Sequence, residues 1–352
     1  MRHIVLLAVG LVLLAVETSR AASAHDYLGR SDDWFRSGEA ARIGQNILSW
    51  QAREGGWPKN EDTTSSPAPA ADKLKGTFDN GATTDELRFL ARLIEARAPI
   101  ASSSSNAFLR GLGHILHAQY TNGGWPQYSP PPATSYHRYI TFNDGTILRL
   151  LIFLREVVTE PRYQFVPAST RDVAQRAFQR GVDCILQCQV RVNGRLTVWC
   201  AQHDEKTLAP RPARTFELAS LSGAESVGLT RLLMSVTNPT VETVEAIESS
   251  VAWFKSARID GIKLVEVKDA SLPKGRDRVV ERDASARPMW ARFYEIETGR
   301  PIYAGRDGVK KYALAEIEYE RRNGYSWLSY WPETLLEKDY PAWKATLVAR
   351  GR

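Results

Sequence analysis

The sequence predicts an all-α chain, an α/α toroid of repeated helix pairs with short irregular β segments in its loops. Three observations carry that expectation. An internal repeat comes first: Ile47–Asn60 reads ILSWQAREGGWPKN, Ile115–Tyr128 reads ILHAQYTNGGWPQY, and Ile185 opens ILQCQVRVNG. A recurring helix start comes second: Phe78–Leu93 (FDNGATTDELRFLARL) and Phe142–Val157 (FNDGTILRLLIFLREV) each place Asp, Asn and Gly before an apolar stretch of helical spacing. The third is the scarcity of strand-like alternation, confined to stretches such as Arg195–Cys200 and Ile262–Val267.

The elements follow in order. Arg2 and His3 precede the apolar run Ile4–Val16, too short for a bilayer, and Ala22-Ser23-Ala24 offers a small-x-small cleavage site. Residues 1–24 are therefore expected to be a signal peptide, 25–352 a single domain, and the protein secreted or periplasmic in a bacterium. Each I-L-x-x-Q ends a helix that runs into a glycine-rich stop. Phe216–Val236, with Ser222-Gly223-Ala224-Glu225 at its helix start, reads as the third member of the second helix series, and Arg287–Glu297 (RPMWARFYEIE) as the fourth. The unit is helix, loop, helix, with a period of 63–70 residues. Helix pairs that bury one face on their neighbours curve into a ring or solenoid. The loop Glu61–Lys75, rich in Ser, Pro and Ala, is expected to be mobile, and the charged connection Lys268–Asp283 to form a rim.

Composition narrows the function. The 352 residues are 43% hydrophobic and 24% charged, which describes a globular chain, with a formal net charge of +6. No Lys/Arg-dense stripe marks a nucleic-acid binder, and after leader cleavage nothing remains to hold the chain in a membrane. Three cysteines, Cys184, Cys188 and Cys200, allow one pair and a free thiol, or simply three buried small hydrophobes. His114 and His117 have no near third ligand, and no phosphate loop, nucleophile elbow or dinucleotide fingerprint is present.

Helix N-termini at one end of a toroid converge. Asp79 with Asn80, and Asp144 with Asn143, then face one another as oxygen donors of the kind a hard cation takes, with the two aspartates in equivalent places. Arg211 and Arg214 precede the third helix start, and Arg287 and Arg300 frame the fourth, as carboxylate-binding guanidinium groups. Trp57 and Trp125 are read as wedges between helix pairs in preference to sugar-stacking platforms. Q-x-x-x-G-x-W (Gln51–Trp57, Gln119–Trp125) also resembles the repeat of triterpene cyclases, but their Asp-rich acid motif is missing.

Together ILxxQ..GGWP, TFDNGAT, FNDGT, RPARTFELASLSGAES and SWLSYWPETLL resemble the family 10 pectate lyases over roughly His25 to Lys344. The resemblance implies a monomeric, calcium-dependent lyase of 4-linked α-galacturonan (pectate) acting by β-elimination. It implies Ca²⁺ held by Asp79 and Asp144 with substrate carboxylates, Arg214 as base, and Arg287 and Arg300 on substrate carboxylates. Asn80, Asn143 and Arg211 complete the expected substrate-binding set, with Arg211 the rival for the base. Gly81 and Gly145 stand where relatives are expected to carry a second acid, so calcium is expected to bind mainly together with substrate. Two competing expectations are an inverting glycoside hydrolase using Asp144 and Glu225, and a non-catalytic protein that binds acidic glycan.

Overall fold

The computed structural model describes residues 22–70 and 73–349. Residues 1–21 of the expected leader lie outside the described residues, and Ala24 is fully buried at the start of a short 3-10 turn. A four-residue helix α1 (Asp32–Phe35) leads into α2 (Gly38–Ser49), capped by the Ser37 hydroxyl accepting from Ala40 N at 3.2 Å. Three helix pairs follow: α3 (Thr84–Glu95) with α4 (Ala101–Ala118), α5 (Thr146–Thr159) with α6 (Ala168–Cys188), and α7 (Glu225–Met234) with α8 (Val241–Ser256). Helices α3, α5 and α7 touch in succession, and α4, α6 and α8 form a second row behind them. The front row has to be apolar on several sides. In α5 this is Ile147, Leu150, Leu151, Phe153, Leu154 and Val157, all buried. The arrangement is the α/α toroid the repeat predicts.

One device joins the repeats. Each wedge tryptophan is fully buried or nearly so, and its indole N–H donates to a carbonyl near the end of the preceding helix. Trp57 reaches Ile47 O (2.7 Å), Trp125 reaches Ile115 O (2.8 Å) and Trp199 reaches Ile185 O (2.7 Å). The glutamine of I-L-x-x-Q closes the same turn and spans to the next repeat. Gln51 donates to Gly55 O and Ala107 O, Gln119 to Gly123 O and Ala177 O, and Gln189 to Thr197 O and Ala246 O, all within 2.8–3.0 Å. Gly55 has φ +107°, and a Cβ there would lie 2.6 Å from Arg110 O, so only glycine lets the turn sit against the next helix. The tryptophans are thus wedges, as the sequence suggests, and not sugar platforms.

The fourth quarter departs from the sequence expectation. Arg287–Glu297 is not a helix; it holds the strands Trp290–Ala291 and Phe293–Tyr294, which pair with Leu328–Ser329 and Leu221–Ser222. Trp290 donates to Phe254 O at 2.8 Å and is the fourth wedge. The hairpin Ile262–Lys268/Arg276–Arg282, inserted between α8 and this wedge, hides the register; it includes most of the charged connection expected as a rim. The helical part of this quarter is instead Leu335–Asp339, a π-helical stretch that runs into α10 (Tyr340–Ala349). Before it lies the short α9 (Tyr319–Gly324).

The Ser-rich loop is pinned where it is described: Asn46 and Trp50 donate to Thr64 O (2.7 Å) and Ser66 O (2.8 Å). The three cysteines are buried free thiols, with Cys184 and Cys188 sulfurs 4.0 Å apart. No helix among the described residues is long and apolar enough to cross a membrane.

Candidate active site

The residue two places beyond each wedge tryptophan is delivered to one mouth of the ring. These residues are Lys59, Gln127, Ala201 and Arg292. Three are fixed by the same backbone bond, in which the turn of the preceding repeat donates to their carbonyl. Phe78 N reaches Gln127 O (3.0 Å), Phe142 N reaches Ala201 O (2.9 Å) and Gly223 N reaches Arg292 O (2.9 Å).

The turns they meet are the 3-10 turns Asp79–Gly81 and Asn143–Gly145 and the start of α7. Phe78 and Phe142 align these turns, so Asp79 corresponds to Asn143 and Asn80 to Asp144. This corrects the expected equivalence of the two aspartates. Asn80 (φ 54°) and Asp144 (φ 50°) both take the left-handed conformation that short polar side chains tolerate best after glycine. One carboxylate is therefore deep and the other shallow: the Asp79 side chain is 2% exposed and that of Asp144 36%.

Around them lies a network of carboxylates and cations. Lys59 Nζ pairs with Asp79 Oδ2, which also accepts from Gln127 Nε2 at 2.7 Å. Arg292, 12% exposed, pairs with Glu225, faces Asp144 Oδ1 at 3.5 Å and donates to Asn143 Oδ1 at 3.4 Å. Arg214 donates through Nε to Glu217 Oε2 (2.8 Å) and through Nη2 to Oε1, while Tyr325 OH donates to the same Oε1 at 2.7 Å. The Tyr325 ring lies under both guanidinium groups, 4.8 Å from Arg292 and 5.6 Å from Arg214. Burial raises the Tyr136 hydroxyl above its ordinary range, with the charges of Arg214 and Lys59 pulling the other way. A cavity of about 550 Å³, bordered by Lys59, Asn80 and Arg149, adjoins the Asp79 turn.

Burial pushes the Asp144 carboxyl above its ordinary range despite the opposing pull of Arg292. Burial also works against the charge on Arg292, but Glu225, Tyr325 and Asp144 outweigh it and hold the guanidinium protonated. Glu217 does the same for Arg214, chiefly through its hydrogen bonds.

The other expected arginines are occupied elsewhere. Arg211 binds Asp204 Oδ2 through Nε and Nη2 (2.9 and 2.7 Å). Arg287 stacks on Tyr330 at 3.5 Å and pairs with Glu333, and Arg300 stacks on Tyr312 at 3.8 Å. Among the described residues none of the three pairs with Asp79, Asp144 or Glu225. Sequence reasoning missed Lys59, Gln127, Glu217, Tyr325 and Arg292. The signal for Arg292 was present: RPMWAR is a fourth wedge with its site residue two places on.

A hard divalent cation fits this donor set in part. Asp79 Oδ1 is buried with no hydrogen-bond partner among the described residues, and Asn80, Asn143 and Asp144 add oxygens. Yet no group of three or more His, Cys, Asp or Glu residues poised to hold a metal occurs among the described residues. The remaining ligands have to come from another molecule.

Comparison with known proteins gives this arrangement a lineage. The profile of the family described as pectic acid lyase matches residues 51–336. A family 10 polysaccharide lyase from Cellvibrio cellulosa is 33% identical, with a TM-score of 0.74 over 91% of this chain and 97% of that one. A point variant of a Cellvibrio cellulosa family 10 lyase, solved with trigalacturonic acid, also has 33% identity and a TM-score of 0.74, over 89% of this chain and 95% of its own. No curated protein matches. The chain belongs to the pectic acid lyase family and is a family 10 polysaccharide lyase.

Proposed function

We propose that the protein is a calcium-dependent pectate lyase, cleaving 4-linked α-galacturonan by β-elimination. One observation carries this furthest: among the described residues a buried Asp79 oxygen has no hydrogen-bond partner, in a cluster that also holds the Asp144 and Glu225 carboxylates and Arg292. The trigalacturonic acid bound by the Cellvibrio relative supports a galacturonan substrate. Asp79, Asn80 and Asp144 would hold Ca²⁺ together with uronate carboxylates. Bound Ca²⁺ would supply charge withdrawal from the uronate carboxylate, making the C5 proton more acidic. Arg214, Nη1 of which is outside its Glu217 bonds, would bind a second uronate carboxylate.

For the base we favour Arg292 over Arg214. Asp144, one of the carboxylates that keep Arg292 charged, is also one of the residues that would hold the cation, so neutralising it lowers the proton affinity of Arg292. Glu217 keeps its hold on Arg214 throughout. Arg292 would take the C5 proton; the C–H electron pair forms the C4–C5 double bond as the C4–O bond breaks, and solvent protonates the leaving oxygen. An arginine base requires an alkaline optimum, and a rate profile peaking below pH 7 would count against it. The inverting-hydrolase alternative is disfavoured because Arg292 lies between Asp144 and Glu225, where the attacking water would have to stand.

Ultraviolet absorbance during incubation with polygalacturonate and Ca²⁺, then with excess chelator, tests the proposal. A rising unsaturated-product signal abolished by chelator is expected. Reducing ends without that signal would mean hydrolysis, and neither would mean a glycan-binding relative without chemistry.

A further inference from the structure

We propose that Lys59 is an exchangeable internal cation: its ammonium holds the Asp79 carboxylate in the free protein and moves to a uronate carboxylate when a divalent cation and substrate enter together. The inference rests on the pectate lyase reading above.

Among the described residues Asp79 accepts both side-chain bonds on one oxygen, Oδ2, from Lys59 and Gln127, and Oδ1 is buried without a partner. The two donors are repeat equivalents with different abilities. Gln127 is neutral and buried, with its backbone tied to Phe78 N and Thr77 Oγ1, so it can keep its bond when a metal arrives. Lys59 carries a full charge on a flexible stem and is 26% exposed, toward the cavity it shares with Asn80 and Arg149. A dication on Asp79 cannot share that carboxylate with an ammonium at contact distance, because like charges at such separations repel strongly even at an effective dielectric of about 20. The lysine therefore has to leave, and its departure reduces the affinity of the free protein for the metal. A uronate carboxylate in the mouth gives the displaced ammonium a new partner, so metal and substrate favour one another, each raising the affinity of the other equally. Oxygen supply and charge then act in the same direction: too few protein ligands, and one already taken by a protein cation.

Calorimetry of Ca²⁺ binding without substrate, on the parent chain and on Lys59→Gln and Lys59→Met, tests this. The glutamine reproduces the chemistry of the second repeat and leaves a donor for Asp79, so it guards against a variant that does not fold; melting curves check both. Both variants are expected to bind Ca²⁺ at least roughly tenfold more tightly than the parent. They are also expected to show less enhancement of Ca²⁺ binding by trigalacturonic acid. Unchanged Ca²⁺ affinity in folded variants, with chelator-sensitive elimination intact in the parent, would overturn the role of Lys59 and leave the lyase reading standing. Absence of Ca²⁺ binding in all three chains even with trigalacturonic acid, with no elimination by the parent, would remove the lyase reading and this inference with it.

Discussion

Arg292 shows how much chemistry one repeat position can hold. The place two residues beyond the wedge carries Lys59, Gln127, Ala201 and Arg292 in turn, so four copies of one backbone present a cation, an amide, a methyl group and a second cation to a single mouth. The two arginines that border the carboxylates can be told apart by pH. Lysine has a lower unperturbed pKa than arginine. Arg292→Lys is therefore expected to lower kcat by roughly 10²-fold or more and to move the rising limb of its pH profile to lower pH. Arg214→Lys is expected to raise KM and leave the pH profile of kcat in place, because a carboxylate clamp contributes to binding. The reverse pattern would return the base to Arg214. Much of this cluster could be read from the sequence, since FDNG and FNDG mark both turns. The pairing of Asp79 with Asn143 was open to inspection too, because the two phenylalanines set it. Glu217 and Tyr325 were not legible: they are 108 residues apart and meet only through the fold.

At the scale of elements, the start of α3 combines strain and a buried acid. Thr83 stands at φ 73°, and its N–H donates to Glu86 Oε2 at 2.8 Å in a capping box. Its hydroxyl accepts from Trp57 N at 2.9 Å and donates to Thr77 O, so the same residue ties the helix start to the wedge. Burial raises the Glu86 carboxyl to about 7, against an ordinary value of 4.5. With the folded pKa above the unfolded one, its contribution to stability is fully present below about pH 4.5 and is lost as pH rises through 7. Glutamine keeps the capping-box acceptor without the charge. Glu86→Gln is therefore expected to stabilise the protein at pH 8 by about 2–3 kcal/mol and to change it little at pH 4.5. Denaturant titrations at the two pH values measure this, and equal effects at both would contradict the assigned titration. The misread element is instructive as well. Trp, Phe, Tyr and Ile in RPMWARFYEIE have helical spacing, but Trp290 and Phe293 pair across strands with Ser329 and Ser222, and tertiary pairing overrode the local pattern.

For the whole molecule, the question is whether the ring unfolds as one unit or repeat by repeat. Stacked repeats with contacts only between neighbours lose cooperativity when a single interface is weakened. Here each glutamine clamp closes its own turn and also reaches the back-row helix of the next repeat, so local and inter-repeat order depend on one amide. Gln119→Ala leaves Gly123 O and Ala177 O without that donor, which is expected to cost about 1–3 kcal/mol. The wedge geometry of Trp125 and the Asn143–Gly145 turn should survive, because Trp125 keeps its bond to Ile115 O and Thr141 N keeps its bond to Trp125 O. The expected result in urea is one transition at a lower midpoint with an unchanged slope, and kcat near the parent value at temperatures well below melting. Two resolved transitions would show that the clamp, more than the shared core of α3, α5 and α7, joins the repeats. A single transition would assign that coupling to the front row, whose apolar faces run without a break from Leu87 through Leu151 to Leu229.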